Sequence, residues 1–124
     1  MELEARVWLR GDLRSPADAR RFVGRTLTPL LGREDVETAM LLTSELVTNV
    51  ALHAGTECEL VLRGKPKTLL IQVTDLDSRG SRQSFGRELP SGRGQRMFEV
   101  LCRRWGVRPE PGGKTVWCEL AVRE

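Results

Sequence analysis

Residues 4–10, EARVWLR, put Ala5, Val7 and Leu9 on one side of an extended chain and mostly charge on the other, Trp8 excepted. That period of two predicts a half-buried strand. The period changes at Ser15-Pro16. A serine suited to the N-cap, a proline at the first helical position and Asp18 in the first turn predict a helix over 16–27, with Ala19, Phe22, Val23 and Leu27 facing a core. Pro29 and Gly32 interrupt it. A longer helix is predicted from Asp35 to about Ala54, stopped by Gly55, with Val36, Met40, Val47, Val50 and Ala54 as its buried stripe. On another face of that helix Glu45, Asn49 and His53 recur every four residues and form one polar line.

Residues 57–63 and 68–75, ECELVLR and TLLIQVTD, read as strands joined by the turn Gly64-Lys65-Pro66-Lys67, hence a β-hairpin. From Leu76 to Arg93 the periodicity vanishes into Ser, Arg, Gly and Pro, a loop longer than most connections and of the kind that carries function. Gly94 opens a helix whose Met97, Leu101 and Trp105 face the core and whose end Gly106 marks. Pro109 to Gly113 form a turn, and 115–122, TVWCELAV, a last strand. This order predicts an α/β (α+β) two-layer sandwich, a mixed and mostly antiparallel sheet covered on one face by three helices, as one domain over 1–124. The other sheet face is left for Trp8 and Trp117, or a partner, to cover.

A chain of 124 residues buries about two-thirds of its unfolded surface, enough for a single core. Cys58, Cys102 and Cys118 are odd in number and lack CxxC spacing, which argues against a disulfide framework or a zinc site and for buried thiols in a reducing compartment. Neither a signal-peptide core in MELEARVWLR nor a long apolar run is present, so a cytoplasmic protein without membrane association is expected. The net charge of +3 and pI near 9.1 invite a nucleic-acid partner. The basic clusters contain no row of aromatics for base stacking, and a mixed, solvated surface accounts for them better.

The polar line has chemistry available to it. An Asn49 carboxamide oxygen can ligate magnesium without adding charge, a Glu45 carboxylate can orient or deprotonate a hydroxyl, and His53 can donate to a phosphate oxygen. The alternative is a solvated helix face. Asp75, at the end of a strand, can accept from the exocyclic amino group of adenine or simply end the strand. Ser91-Gly92-Arg93-Gly94 precedes a helix, where backbone N–H groups favour phosphate. Gly112-Gly113-Lys114-Thr115 brings an ammonium and a hydroxyl into the last strand.

Taken in order, SELVTNVALHAG (44–55), VTDLDSR (73–79), SGRGQRMFEVLCRRWG (91–106) and GGKTVWCEL (112–120) resemble the successive boxes of the histidine-kinase-like ATPase superfamily, which includes gyrase B, MutL and sensor kinases. Compactness, the His-Ala-Gly ending of the first box and GGKTVW bring the resemblance nearest to the anti-sigma factor serine kinases and small actinobacterial regulators. The resemblance implies a Bergerat-type ATP-binding fold with ATP and Mg2+ as cofactors. It implies Asn49 as the magnesium ligand, Glu45 as general base and Asp75 as adenine reader. Gly92 and Gly94 would frame a lid, Thr115 would lie beside the adenine pocket, and His53 and Arg93 would contact phosphates. It further implies a sigma factor or an anti-sigma antagonist as partner, serine/threonine phosphotransfer to that antagonist, and a homodimer through the first helix and strand. The alternative is a nucleotide-responsive protein-binding regulator without kinase activity. Two departures bear on this: Leu76 to Arg79 replace the glycines that usually follow the Asp, and Gln95 replaces a leucine at the start of the lid helix.

Overall fold

The computed structural model describes residues 1–77 and 92–123, with side chains from Gln95 onward in the second segment. Five strands form one sheet in the order β1-β2-β3-β5-β4: β1 (Leu3–Leu9), β2 (Cys58–Lys65), β3 (Thr68–Asp75), β4 (Arg104–Glu110) and β5 (Gly113–Ala121). Every described pairing is antiparallel, so the expected mixed, mostly antiparallel sheet has no parallel pair among the described residues. Helices α1 (Ser15–Leu27), α2 (Arg33–Asn49) and α3 (Gly92–Leu101) complete the two-layer sandwich. No described helix is long and apolar enough to cross a membrane.

Alternation decides which way each strand faces. Leu3, Ala5, Val7 and Leu9 lie opposite Gly64, Leu62, Leu60 and Cys58, and this inward set continues through Leu69, Ile71 and Val73 to Leu120, Cys118 and Val116. Leu60, Leu62, Leu69, Ile71 and Cys118 are completely buried. Each such aliphatic side chain contributes about 1.5–3 kcal/mol through removal from water. The helices close over this face with Ala19, Val23 and Leu27 of α1, Ala39, Leu42, Leu46 and Val47 of α2, and Phe98 of α3. The stripes of α1 and α2 are thus close to those expected from the spacing, although Phe22 and Met40 are only half-buried.

The outward face is mixed, with Val61, Gln72 and Thr115 buried and charged pairs exposed. Arg6 pairs with Glu4 and Glu59, Arg104 with Glu119, and Arg63 donates to Gln72 Oε1 at 3.1 Å. Trp8 stands 58% exposed. Trp117 lies over its cross-strand neighbour Gly106, where an added Cβ would meet the indole at 3.0 Å.

Three local expectations are corrected. Ser15 does not cap α1, because Asp12 Oδ1 accepts the Arg14 N–H at 2.9 Å and forms the preceding turn, leaving Ser15 Oγ to donate to the Arg10 carbonyl at 2.9 Å. The last helix does not continue to Trp105. It ends at Leu101, which is exposed, and the chain turns through Cys102 and Arg103 into β4. Trp105 and Val107 face inward from that strand, the Trp105 ring tilted against buried Phe98 with centroids 6.3 Å apart. β4 is an edge strand, the position that tolerates Pro109 within it. Finally, the α-helical geometry of α2 stops at Asn49 and gives way to one wide π turn, Val50–Ala54, closed by the Gly55 N–H donating to the Val50 carbonyl at 2.8 Å. Gly55 then takes the left-handed conformation, φ 66°, of a helix stop.

One buried polar group in α2 has a cost. Thr43 is completely buried and its Oγ1 has no hydrogen-bond partner among the described residues. Thr43→Val preserves shape and removes the desolvated hydroxyl, so it is expected to stabilise the protein by about 1 kcal/mol in urea unfolding. An unchanged or lower midpoint would mean that the hydroxyl is hydrogen-bonded in solution.

Candidate functional site

The candidate residues are tied together at the end of β2 and β3 where the chain arrives from α2. α2 packs across β3, and after Ala54 only Gly55, Thr56 and Glu57 separate the π turn from Cys58, whose cross-strand partner is Asp75. Thr56 Oγ1 accepts the Leu76 N–H at 3.1 Å, which ties the exit of the helix to the exit of β3. Asn49, the last α-helical residue, is buried at 7% exposure, and Glu45 one turn earlier is half-buried. The polar line does not continue to His53. A wide turn carries the following residues away from four-residue stacking, and His53 is exposed to solvent while Asn49 is turned in.

Asp75 ends β3 and is 1% exposed, with both carboxylate oxygens engaged. Oδ1 accepts the Asp77 N–H at 3.0 Å and Oδ2 accepts from Lys114 Nζ at 2.7 Å. Lys114 itself is 3% exposed, and a charged pair is stable at such depth only because each member supplies the other's counter-charge. On the opposite flank lies Cys58. Its thiol is pushed up to about 12, first by burial and then by the negative charge of Asp75.

Thr115 is not on this face. It lies opposite Thr74 on the outward side of the sheet, the two hydroxyls 2.6 Å apart, and the position beside Asp75 belongs to Lys114. The parity of β5 was the signal: Val116, Cys118 and Leu120 point inward, so Lys114 shares their side and Thr115 shares that of Trp117. A lysine in an otherwise apolar inward series conceals that reading. Gly113 permits the close approach of this strand end, since a Cβ there would stand 1.9 Å from the Asp75 carbonyl oxygen.

Gly92, Arg93 and Gly94 form the first turn of α3, and Gln95 after them is exposed. The Arg93 side chain, Ser91 and the lid loop including Ser78, Arg79 and Gly80 lie outside the described residues. A groove of about 600 Å3 elsewhere, bordered by Arg20 and Arg25 of α1 and Met40 of α2, involves none of the candidate residues.

No family model and no curated protein matches the sequence. The fold does have counterparts. A crystal structure of the RsbU and RsbW domains of Rv1364c from Mycobacterium tuberculosis superposes with a TM-score of 0.76 over 98% of this chain, at 15% identity. This chain spans about a third of that one, with 33% of it covered. At that identity the likeness establishes architecture: the chain shares the α+β sandwich of that structure.

Proposed function

We propose that this chain is a regulatory protein that binds ATP and magnesium, an anti-sigma factor serine/threonine kinase that engages a sigma factor and phosphorylates its antagonist. The observation that carries the proposal is Asn49, buried at the end of α2 one turn after Glu45, from where the chain returns through Gly55, Thr56 and Glu57 to Cys58, the cross-strand partner of Asp75. The donor chemistry fits magnesium, which takes one or two protein oxygens and keeps the rest of its shell for water and phosphate.

In this reading Asn49 would hold the ion, which would supply charge stabilisation to the phosphates, and Glu45 would accept the proton of the attacking hydroxyl. The first turn of α3, at Gly92 and Gly94, directs backbone N–H groups to phosphate. A second reading, a nucleotide-responsive binding regulator without kinase activity, draws on the Lys114–Asp75 pair, which engages the carboxylate that would read the base. Nucleic acid remains the weakest partner class, because many surface arginines are already paired with carboxylates.

Calorimetric titration of magnesium-ATP into the purified protein is expected to show saturable binding that weakens at least about tenfold in Asn49→Ala and on chelation of magnesium. With an antagonist protein present, Glu45→Ala is expected to retain binding and lose phosphotransfer. Binding with no transfer to any partner by the wild type would select the regulator reading, and no binding at millimolar ATP would remove both.

A further inference from the structure

The carboxylate that the proposed function assigns to the nucleotide base already has a resident donor. Asp75, Lys114 and Cys58 form consecutive members of one cross-strand row, Cys58↔Asp75↔Lys114, pointing into the sandwich. Lys114 reaches Asp75 Oδ2 at 2.7 Å, the Asp77 N–H occupies Oδ1, and neither charged residue is more than 3% exposed. An exocyclic amino group brings one N–H donor to a carboxylate. The ammonium of Lys114 brings a stronger one, carrying a full charge and already in place.

To place an adenine amino group where the ammonium sits at Oδ2, Lys114 must be pushed from this carboxylate while still buried from water. The strand parity leaves Lys114 no outward alternative, since its neighbours Gly113 and Thr115 take the other side. Resting on the reading of this site as a nucleotide site, we infer that Lys114 is a specificity-determining residue: it is an internal occupant of the base subsite, and the protein holds a nucleoside triphosphate by its phosphates and metal without selecting adenine. The chemical class of ligand is therefore a nucleoside triphosphate with magnesium, with the exocyclic amino group of the base left unread.

Two arms of one titration test this. In the wild type, ATP and inosine triphosphate, which carries a carbonyl in place of the 6-amino group, are expected to bind within about threefold of each other, because Asp75 is only 1% exposed and its Oδ2 is held by Lys114. Lys114→Thr removes the ammonium, and ATP is expected to gain about tenfold or more over inosine triphosphate, the magnitude of one recovered hydrogen bond to a charged group. Thermal unfolding of the variant establishes that it is folded, and if it is not, the wild-type comparison decides alone. A wild type that already prefers ATP tenfold overturns the inference while leaving the proposed function standing. So does a folded Lys114→Thr that gains no preference. A wild type that binds neither nucleotide while Lys114→Thr binds ATP supports the occupant role in its strongest form. Absence of binding by either folded protein overturns the nucleotide reading, and the inference with it.

Discussion

Asp75→Ala is expected to cost the fold about 3–5 kcal/mol, although the residue lies at the end of a strand and contributes nothing apolar. The magnitude follows from what remains rather than from what is removed. Lys114 is 3% exposed, its neighbours in the inward series are Val116, Cys118 and Leu120, and Asp75 pairs with it at 2.7 Å. Leaving one charge buried without its partner is far more costly than never having had the pair, because desolvation is no longer offset by attraction. The paired substitution Asp75→Asn with Lys114→Met keeps the volumes nearly constant and removes both charges. It is expected to return stability to within about 1 kcal/mol of wild type. Urea unfolding of the three proteins at one pH checks this. A single variant costing less than about 1 kcal/mol would show that water reaches the pair in solution, and the base subsite would then be open as well.

The same pair marks the limit of what was legible beforehand. The hairpin was plain, because the apolar runs in ECELVLR and TLLIQVTD flank the turn residues Gly64 to Lys67, and the observed register runs from Lys65↔Thr68 to Cys58↔Asp75. Asp75 was legible as a strand end and Glu45 and Asn49 as neighbours on one helix, since both readings need only local periodicity. Three things required the tertiary structure. Helix periodicity placed His53 with Asn49, but the π turn at Val50–Ala54 departs from that period, and no residue type there announces it. Strand β4 carries Gly106 and Pro109 among charges, so its alternation of Trp105 and Val107 was too short to compete with the helical spacing running in from Met97. Lys114 broke its own strand's pattern because it belongs to an ion pair whose other half is 39 residues away in sequence, and periodicity has no access to such a partner.

Gly113→Ala is the second substitution with a large expected effect, a loss of about 3 kcal/mol or more in the same unfolding assay, at the upper end for overpacking by one methyl. Its cause is space and not backbone angle. A Cβ at residue 113 would stand 1.9 Å from the Asp75 carbonyl oxygen, 2.8 Å from the Asp75 carbonyl carbon and 3.2 Å from Leu76 Cα. All three are backbone atoms, which cannot rotate aside as a side-chain tip can. Relief requires the ends of β3 and β5 to part where Asp75 faces Lys114, so the methyl group also draws the ion pair open. The adjacent Gly112 separates this from a general intolerance of the turn. It has φ 81° and open space around its Cβ position, so Gly112→Ala bears only the left-handed penalty of about 1–2 kcal/mol. Nucleotide titration adds a second axis: Gly112→Ala is expected to leave binding within about threefold of wild type, whereas Gly113→Ala, if folded, displaces Asp75 and Lys114 together and so disturbs the base subsite directly. Equal losses from the two alanines would mean that the strand end accommodates a methyl group and that the close approach of Gly113 to Asp75 is not what holds the pair.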